Sequence, residues 1–169
     1  MENNKYLIRQ GENKDINSIL EIIDEARALF KTYNSPQWSD GYPNKETFLN
    51  DIKDDNLFVL VSDDKVIGTM TVLSYEPTYD YIEGKWLSDK DYVAIHRIAI
   101  KKEYRKLGLA SIMIKFVEDK FKKNIRIDTH RLNKGMKEFL LKNGFVYCGI
   151  IYLNEENDKE RLAFEKLID

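Results

Sequence analysis

The run from His96 to Ser111, HRIAIKKEYRKLGLAS, holds the densest chemistry in the chain. It reads as an apolar strand, a basic turn and a helix that opens with small residues. Such a helix start presents unpaired N–H groups and a partial positive charge, which suits an anion. Gly108 and Ala110 would let a phosphate or pyrophosphate approach the backbone closely, and Arg105 and Lys106 add charge. On spacing alone an ordinary surface turn would look the same. A Walker loop is excluded because G-x-x-x-x-G-K-[ST] is absent, and a single glycine excludes the Rossmann fingerprint. His96 is the second reactive group. An imidazole ordinarily titrates near ~6.5, so it can take a proton at neutral pH. Strand alternation would put His96, Ile98 and Ile100 on one face. His96 could equally be a structural histidine held by a hydrogen bond. The other histidine, His130, follows a short apolar stretch and is the weaker candidate for catalysis.

The elements that must position these groups follow from hydrophobic periodicity. Tyr6 to Arg9 reads as a strand. Ile16, Ile19, Leu20, Ile23, Ala26 and Phe30 recur at helical spacing, with Asp15 in position to cap them. Pro36, Gly41 and Pro43 break the helix, and Lys45 to Lys53 forms a short second one. Leu57 to Val61 and Lys65 to Leu73 form a hairpin turning at Asp63-Asp64, with Gly68 marking a bulge or a close backbone approach. Ser74 to Tyr92 is long for a structureless connection, and Tyr75, Tyr79, Tyr81, Trp86 and Tyr92 argue that it is ordered. Then come a strand at 93–100, an amphipathic helix from Leu109 to Phe121, and a strand at 125–129. A helix from about Met136 stops at Asn143-Gly144, and strands follow at 145–153 and 161–168. The order β-α-α-β-β-β-α-β-α-β-β describes one mixed α/β domain over residues 5–169. The helix between strands 93–100 and 125–129 implies that those two are parallel.

The 169 residues are 43% hydrophobic and 33% charged, an ordinary globular balance that excludes a disordered chain. Lys and Arg number 27 against 29 Asp and Glu, a net charge of −2, so a general nucleic-acid binder is not expected. The single cysteine, Cys148, excludes an intramolecular disulfide and a cysteine-cluster zinc site, and no metal-ligand cluster is visible. The first residues lack a secretory pattern, and no apolar run approaches about 18 residues. A cytoplasmic location without membrane attachment is the expectation.

Arg105-Lys106-Leu107-Gly108-Leu109-Ala110 resembles the R/Q-x-x-G-x-G/A signature of the GNAT acyltransferase superfamily. The strand before it and the amphipathic helix after it fit that context. Asn133, followed by a helix ending in Leu141-Lys142-Asn143-Gly144-Phe145, is similar to the family's later motif. The resemblance covers nearly the whole chain. It implies a mostly antiparallel central sheet with one parallel, splayed strand pair and helices on both faces. It also implies acetyl-CoA, held between strand 93–100 and the strand at 125–130. Backbone groups around Ile98, Ala99 and Ile100 would pair with the pantetheine arm. The loop of Arg105, Lys106, Leu107, Gly108, Leu109, Ala110 and Ser111 would hold the pyrophosphate, with Asn133 near the pantetheine.

Acetyl transfer to a primary amine needs a base, because such an amine has an ordinary pKa near ~10.4 and is mostly protonated at neutral pH. His96 lies where the family often has a glutamate base. The family's general-acid tyrosine is missing: that position is Leu140, beside Phe139. CoA thiolate would then leave unassisted or take a proton from water, which a thiol pKa near ~8.5 tolerates. The alternative is a non-catalytic acyl-CoA-binding or regulatory module. The resemblance puts the acceptor between segments 35–43 and 74–92, and so nominates Trp38, Tyr42, Tyr75 and Tyr81. Aromatic faces and the nearby Asp40, Glu76, Asp80 and Glu83 favour a cationic amine: a polyamine, an amino acid, or a peptide N-terminus or lysine. The same aromatics would also serve as a satellite core or a dimer contact, since dimers are common in folds of this kind.

Overall fold

A computed structural model describes residues 5–155 and 157–168. The elements are β1 (Tyr6–Gln10), α1 (Ile16–Thr32), α2 (Lys45–Lys53), β2 (Leu57–Ser62), β3 (Lys65–Leu73), β4 (Glu83–Gly84), β5 (Tyr92–Ile100), α3 (Leu109–Phe121), β6 (Asn124–Thr129), α4 (Lys134–Lys142), β7 (Val146–Tyr152) and β8 (Glu160–Lys166). The strands form one sheet in the order β1-β2-β3-β5-β6-β8-β7-β4. Every pairing is antiparallel except β5 with β6. Among the described residues, no helix is long and apolar enough to cross a membrane.

Both faces of the sheet are covered, which explains the unbroken apolar run of β2. Phe58 and Leu60 pack with Met113, Ile114 and Val117 of α3 and Leu140 of α4. Leu57 and Val59 point the other way, onto Ile16, Ile19 and Ile23 of α1 and Phe48 of α2. The β2–β3 hairpin turns as expected: Asp63 and Asp64 both have positive φ, which matches the right-handed twist of the strands it joins. Gly68 does mark an irregularity, since the register shifts between Leu60 and Val61. A Cβ there would fall 2.9 Å from Ile100 and 3.1 Å from Leu60. Asp15 holds the N-cap position of α1, but its carboxylate does not cap that helix. It accepts the Glu12 N–H at 2.8 Å and two bonds from Arg9 at 2.8 and 2.9 Å.

The connection between β3 and β5 is the main departure from the expected elements, because it contains β4. Two residues are too few to register as a strand in a sequence. Gly84 and Gly149 cross here so closely that a Cβ on either would lie 2.2 Å from a carbonyl oxygen of the facing strand. The connection is pinned at several further points. The Tyr79 hydroxyl donates to Asp128 at 2.7 Å, Trp86 Nε1 to the Tyr79 carbonyl at 2.9 Å, and the Glu76 N–H to the Tyr92 hydroxyl at 3.1 Å. Arg126 on β6 lies between the rings of Trp86 and Tyr92, 4.2 Å from each centroid. Its Nε donates to Glu165 of β8 at 3.0 Å, and its other end donates to the Ser88 carbonyl at 2.8 Å. The other Glu165 oxygen accepts the Leu87 N–H at 2.8 Å.

The Glu165 side chain is fully buried. Arg126→Ala is therefore expected to lower stability by about 3–5 kcal/mol, because it strands a buried carboxylate. The double replacement R126M/E165Q should cost distinctly less. Thermal unfolding of both variants checks this.

Candidate active site

The sheet opens at its one parallel pair. β5 and β6 are in register only from Tyr92↔Asn124 to Ala94↔Arg126. Beyond Ala94 they part, while the opposite edge of β5 stays paired with β3 as far as Ile100. From Ile95 onward, the edge of β5 that faces β6 meets no strand among the described residues. A cleft of about 860 Å³ occupies part of this opening. It is bounded by segment 36–42, residues 76–78, β5 at 95–98, β6 at 127–129, the start of α4, and the turn between β7 and β8.

A bulge in β5 decides what faces the cleft. Thr69 pairs with Ala99 and Thr71 with His96, so β5 has one residue more than β3 across that interval. Arg97 has φ +53°, where a side chain is seldom found. The expected alternation therefore fails. Ile98 and Ile100 pack with Val93 and Ile95 on the α3 face. His96 instead stacks on Tyr79, with centroids 6.0 Å apart and planes at 22°, in the cluster that contains Ala94. His96 and Arg97, neighbours in sequence, both open onto the cleft.

Among the described residues, His96 Nε2 is buried without a hydrogen-bond partner, and it lies 3.5 Å from Glu76 Oε1. Tyr79 supports the back of the imidazole. Burial, the Asp128 carboxylate and the hydrogen bond to it push the Tyr79 hydroxyl well above the ordinary tyrosine range, so it remains a neutral donor. The Asp128 carboxylate is thereby fixed at the cleft wall.

Arg97 is locked from behind. It donates three bonds to Asp51 of α2 at 2.7 to 3.1 Å, and Asp51 also accepts from the Thr71 hydroxyl at 2.7 Å. Burial works against the Arg97 charge, but Tyr42 and Asp51 outweigh it and raise its pKa above the ordinary value. Its remaining arm donates to the Tyr42 hydroxyl at 2.5 Å. Segment 36–43 is held from α1, where Arg27 donates to the carbonyls of Trp38 at 2.9 Å and Pro43 at 2.6 Å. Trp38 rests edge-on against Phe30.

The nominated residues do not all converge. His96, Ile98, Asn133, Trp38 and Tyr42 line the cleft. Tyr75 and Tyr81 do not: Tyr75 is exposed and donates to Asp80, and Tyr81 is exposed beside Tyr152. Asn133 caps α4, accepting the Met136 N–H at 3.1 Å, and its amide donates to Gln37 at 3.3 Å. Leu140 is buried in the core and carries no proton to donate. Ala99, Ile100 and the loop from Arg105 to Ser111 lie outside the cleft, at and beyond the end of β5. Lys106 and Gly108 both have positive φ there, at 63° and 77°. Among the described residues, no group accepts the N–H of any residue from Lys106 to Ser111. Arg105 turns back to donate to the Ile100 carbonyl at 3.3 Å.

Asp51, Arg97 and Asp128 were not candidates from the sequence, and Glu76 entered only as nearby charge. Their partners stand 46 residues apart for Asp51–Arg97 and 49 for Tyr79–Asp128, with no motif spacing to reveal them. His130 is buried. Its Nδ1 accepts the Leu132 N–H at 3.1 Å, which leaves the proton on Nε2 to donate to Asp158 at 2.9 Å.

Residues 23–145 match the sequence pattern of the Acetyltransferase (GNAT) family. An acetyltransferase of the GNAT family from Streptococcus agalactiae 2603 is 35% identical, with 97% of this chain and 96% of that one covered and a TM-score of 0.89. A GNAT-family acetyltransferase from Listeria monocytogenes 4b F2365 shares the fold at 19% identity, 96% and 95% coverage and a TM-score of 0.71. The PaiA N-acetyltransferase from Thermoplasma acidophilum, solved with coenzyme A, does so at 18% identity, 96% and 98% coverage and a TM-score of 0.67. No curated protein matches the chain.

Asp51→Ala is expected to lower stability by about 3 kcal/mol or more, because it leaves the buried Arg97 guanidinium uncompensated. Urea unfolding measures this, and Asp51→Asn should lose less.

Proposed function

Since the chain belongs to the GNAT acetyltransferase family and uses acetyl-CoA, we propose that it transfers the acetyl group to a primary amine by direct attack, with His96 as the base. The observation that carries this reading is the His96 nitrogen beside Glu76, without a hydrogen-bond partner among the described residues, in a cleft bordered by an edge of β5 that meets no strand among them.

The chain's own features suit the cofactor. The N–H groups from Lys106 to Ser111, unpartnered among the described residues, match a pyrophosphate, and apart from Gly108 and its chain neighbours no heavy atom of those residues lies within 4 Å of where a Gly108 Cβ would sit. The open edge of β5 at Ile98, Ala99 and Ile100 matches the amides of a pantetheine arm. Asn133 offers less than expected, because its side-chain oxygen already caps α4. Bound acetyl-CoA supplies the acetyl group as a thioester.

The remaining work falls to protein groups. His96 accepts the ammonium proton so that a neutral amine can attack. Glu76, 3.5 Å away, stabilises the imidazolium that results. Backbone N–H groups on the open edge of β5 serve as donors to the carbonyl oxygen as it gains charge. Leu140 leaves no side-chain acid at the position where the family has one, so the thiolate departs as such or takes its proton from water, and the second proton, shed by the nitrogen as the tetrahedral intermediate collapses, passes to water or to that thiolate. Trp38 and Tyr42 form the aromatic wall for the acceptor.

Saturating acetyl-CoA at a hundred times Kd should stabilise the protein by about 2.7 kcal/mol, a rise in Tm of roughly 5–10 °C for this size. Gly108→Asp should abolish the rise. His96→Ala should keep it while lowering kcat by about 10²- to 10⁴-fold. No rise at millimolar acetyl-CoA would overturn the cofactor site. Unchanged kcat in His96→Ala would overturn the base.

A further inference from the structure

The cleft holds more negative charge than one reacting amine can use. Asp40, Glu76, Asp128, Glu155 and Asp158 line it, against Arg97 and Arg161. Both arginines are occupied. Arg97 is taken by Asp51 and Tyr42, and Arg161 donates to the carbonyls of Asp158 at 2.7 Å and Glu160 at 2.8 Å. Asp158 is matched by His130. Asp40 and Glu155 are exposed at the rim. Two carboxylates remain in the interior. Glu76 faces His96 and serves the base. Asp128 accepts the Tyr79 hydroxyl on Oδ2, and among the described residues nothing takes its Oδ1.

An amine that attacks must first lose its proton, and the positive charge its nitrogen regains as the C–N bond forms is lost with a second proton as the amide is completed, so any charge at that end is transient. A carboxylate set apart from the base therefore has no lasting charge to hold on that nitrogen. Asp128 suits a charge that persists through the reaction. Its distance from the base is set by one side chain: His96 stacks on the face of Tyr79, and Asp128 lies 2.7 Å beyond the hydroxyl at the far end. A charge held there is several bonds from the reacting nitrogen. Apolar side chains such as Trp38, Ile98, Met136 and Leu153 line other parts of the cleft and suit methylenes. An acceptor with its own carboxylate would find Arg97 already paired with Asp51 and Arg161 already donating from Nη1 to two carbonyls.

We propose that the acceptor is a linear aliphatic diamine or polyamine whose non-reacting ammonium is held by Asp128. This rests on the N-acetyltransferase reading above, with His96 at the reacting end. Tyr79 is a positioning residue that fixes the Asp128 carboxylate.

The test measures CoA-thiol release from acetyl-CoA with putrescine, spermidine, butylamine, free lysine and a lysine-containing peptide. The diamine and polyamine should exceed butylamine in kcat/KM by at least tenfold, and free lysine should be the poorer because of its carboxylate. Asp128→Asn, which keeps an acceptor for the Tyr79 hydroxyl, should raise KM for putrescine at least tenfold and collapse the putrescine-to-butylamine ratio towards one. Tyr79→Phe should reduce that ratio by a smaller factor. Tm measurements on both variants confirm folding. Butylamine turnover equal to that of putrescine, a preference for the peptide or free lysine, or an unchanged ratio in folded Asp128→Asn would each overturn the diamine assignment while the acetyltransferase reading stands. Absence of turnover with every amine would overturn both.

Discussion

The separation of β5 from β6 after Ala94 is the constraint on which the rest of the site depends. Two parallel strands joined by a helix would ordinarily remain bonded along their length. Here β5 continues on β3 and β6 continues on β8, so each keeps one partner while the space between them widens. The opening exposes backbone donors and acceptors that a continuous sheet would consume. Buried backbone groups must find partners, so such an edge is tolerated only where water or a ligand can reach it. The α3 face remains a closed apolar core beneath it, with Ile98 packed against that core.

The bulge at Arg97 makes the opening chemically useful. Its extra residue puts two successive side chains on the cleft, one an imidazole, one a fixed cation. Each has its own carboxylate: Glu76 for His96 and Asp51 for Arg97. The two pairs differ in purpose. Arg97 is clamped by three hydrogen bonds and carries Tyr42, so it shapes the acceptor wall. His96 meets its carboxylate at 3.5 Å without a hydrogen bond, and its nitrogen remains available for a proton.

Long connections in a compact domain are held by their side chains when they take part in a site. Segment 74–92 illustrates this. Arg126 and Glu165, on adjacent strands, tie down Leu87 and Ser88, and Tyr79 fills the small core around Ala94, Ile151 and Ala163. The same buried tyrosine presents one face to His96 and its hydroxyl to Asp128. Stability of the connection and placement of the reactive groups therefore share the same contacts.

Local pattern in the sequence was enough for most of the architecture. The alternating and helical periodicities of residues 6–166 set the element order, the Asp63-Asp64 pair marked the hairpin, and Arg105 to Ala110 carried the family resemblance. These are short-range signals, because propensity, turn chemistry and a helix start act over a few residues. Tertiary structure decided the rest. The extra residue at Arg97 leaves no trace in hydrophobic alternation, yet it moved His96 to the face opposite Ile98. The exposed Tyr75 and Tyr81 look like acceptor residues by composition, but Tyr75 turns outward to Asp80, and Tyr81 lies beside Tyr152 next to the crossing of Gly84 and Gly149 at the β7 edge. The carboxylate beside His96 and the one beyond Tyr79 were settled by strand pairing between distant segments. Which of many charged side chains meet is a property of the packed sheet, and no spacing along the chain encodes it.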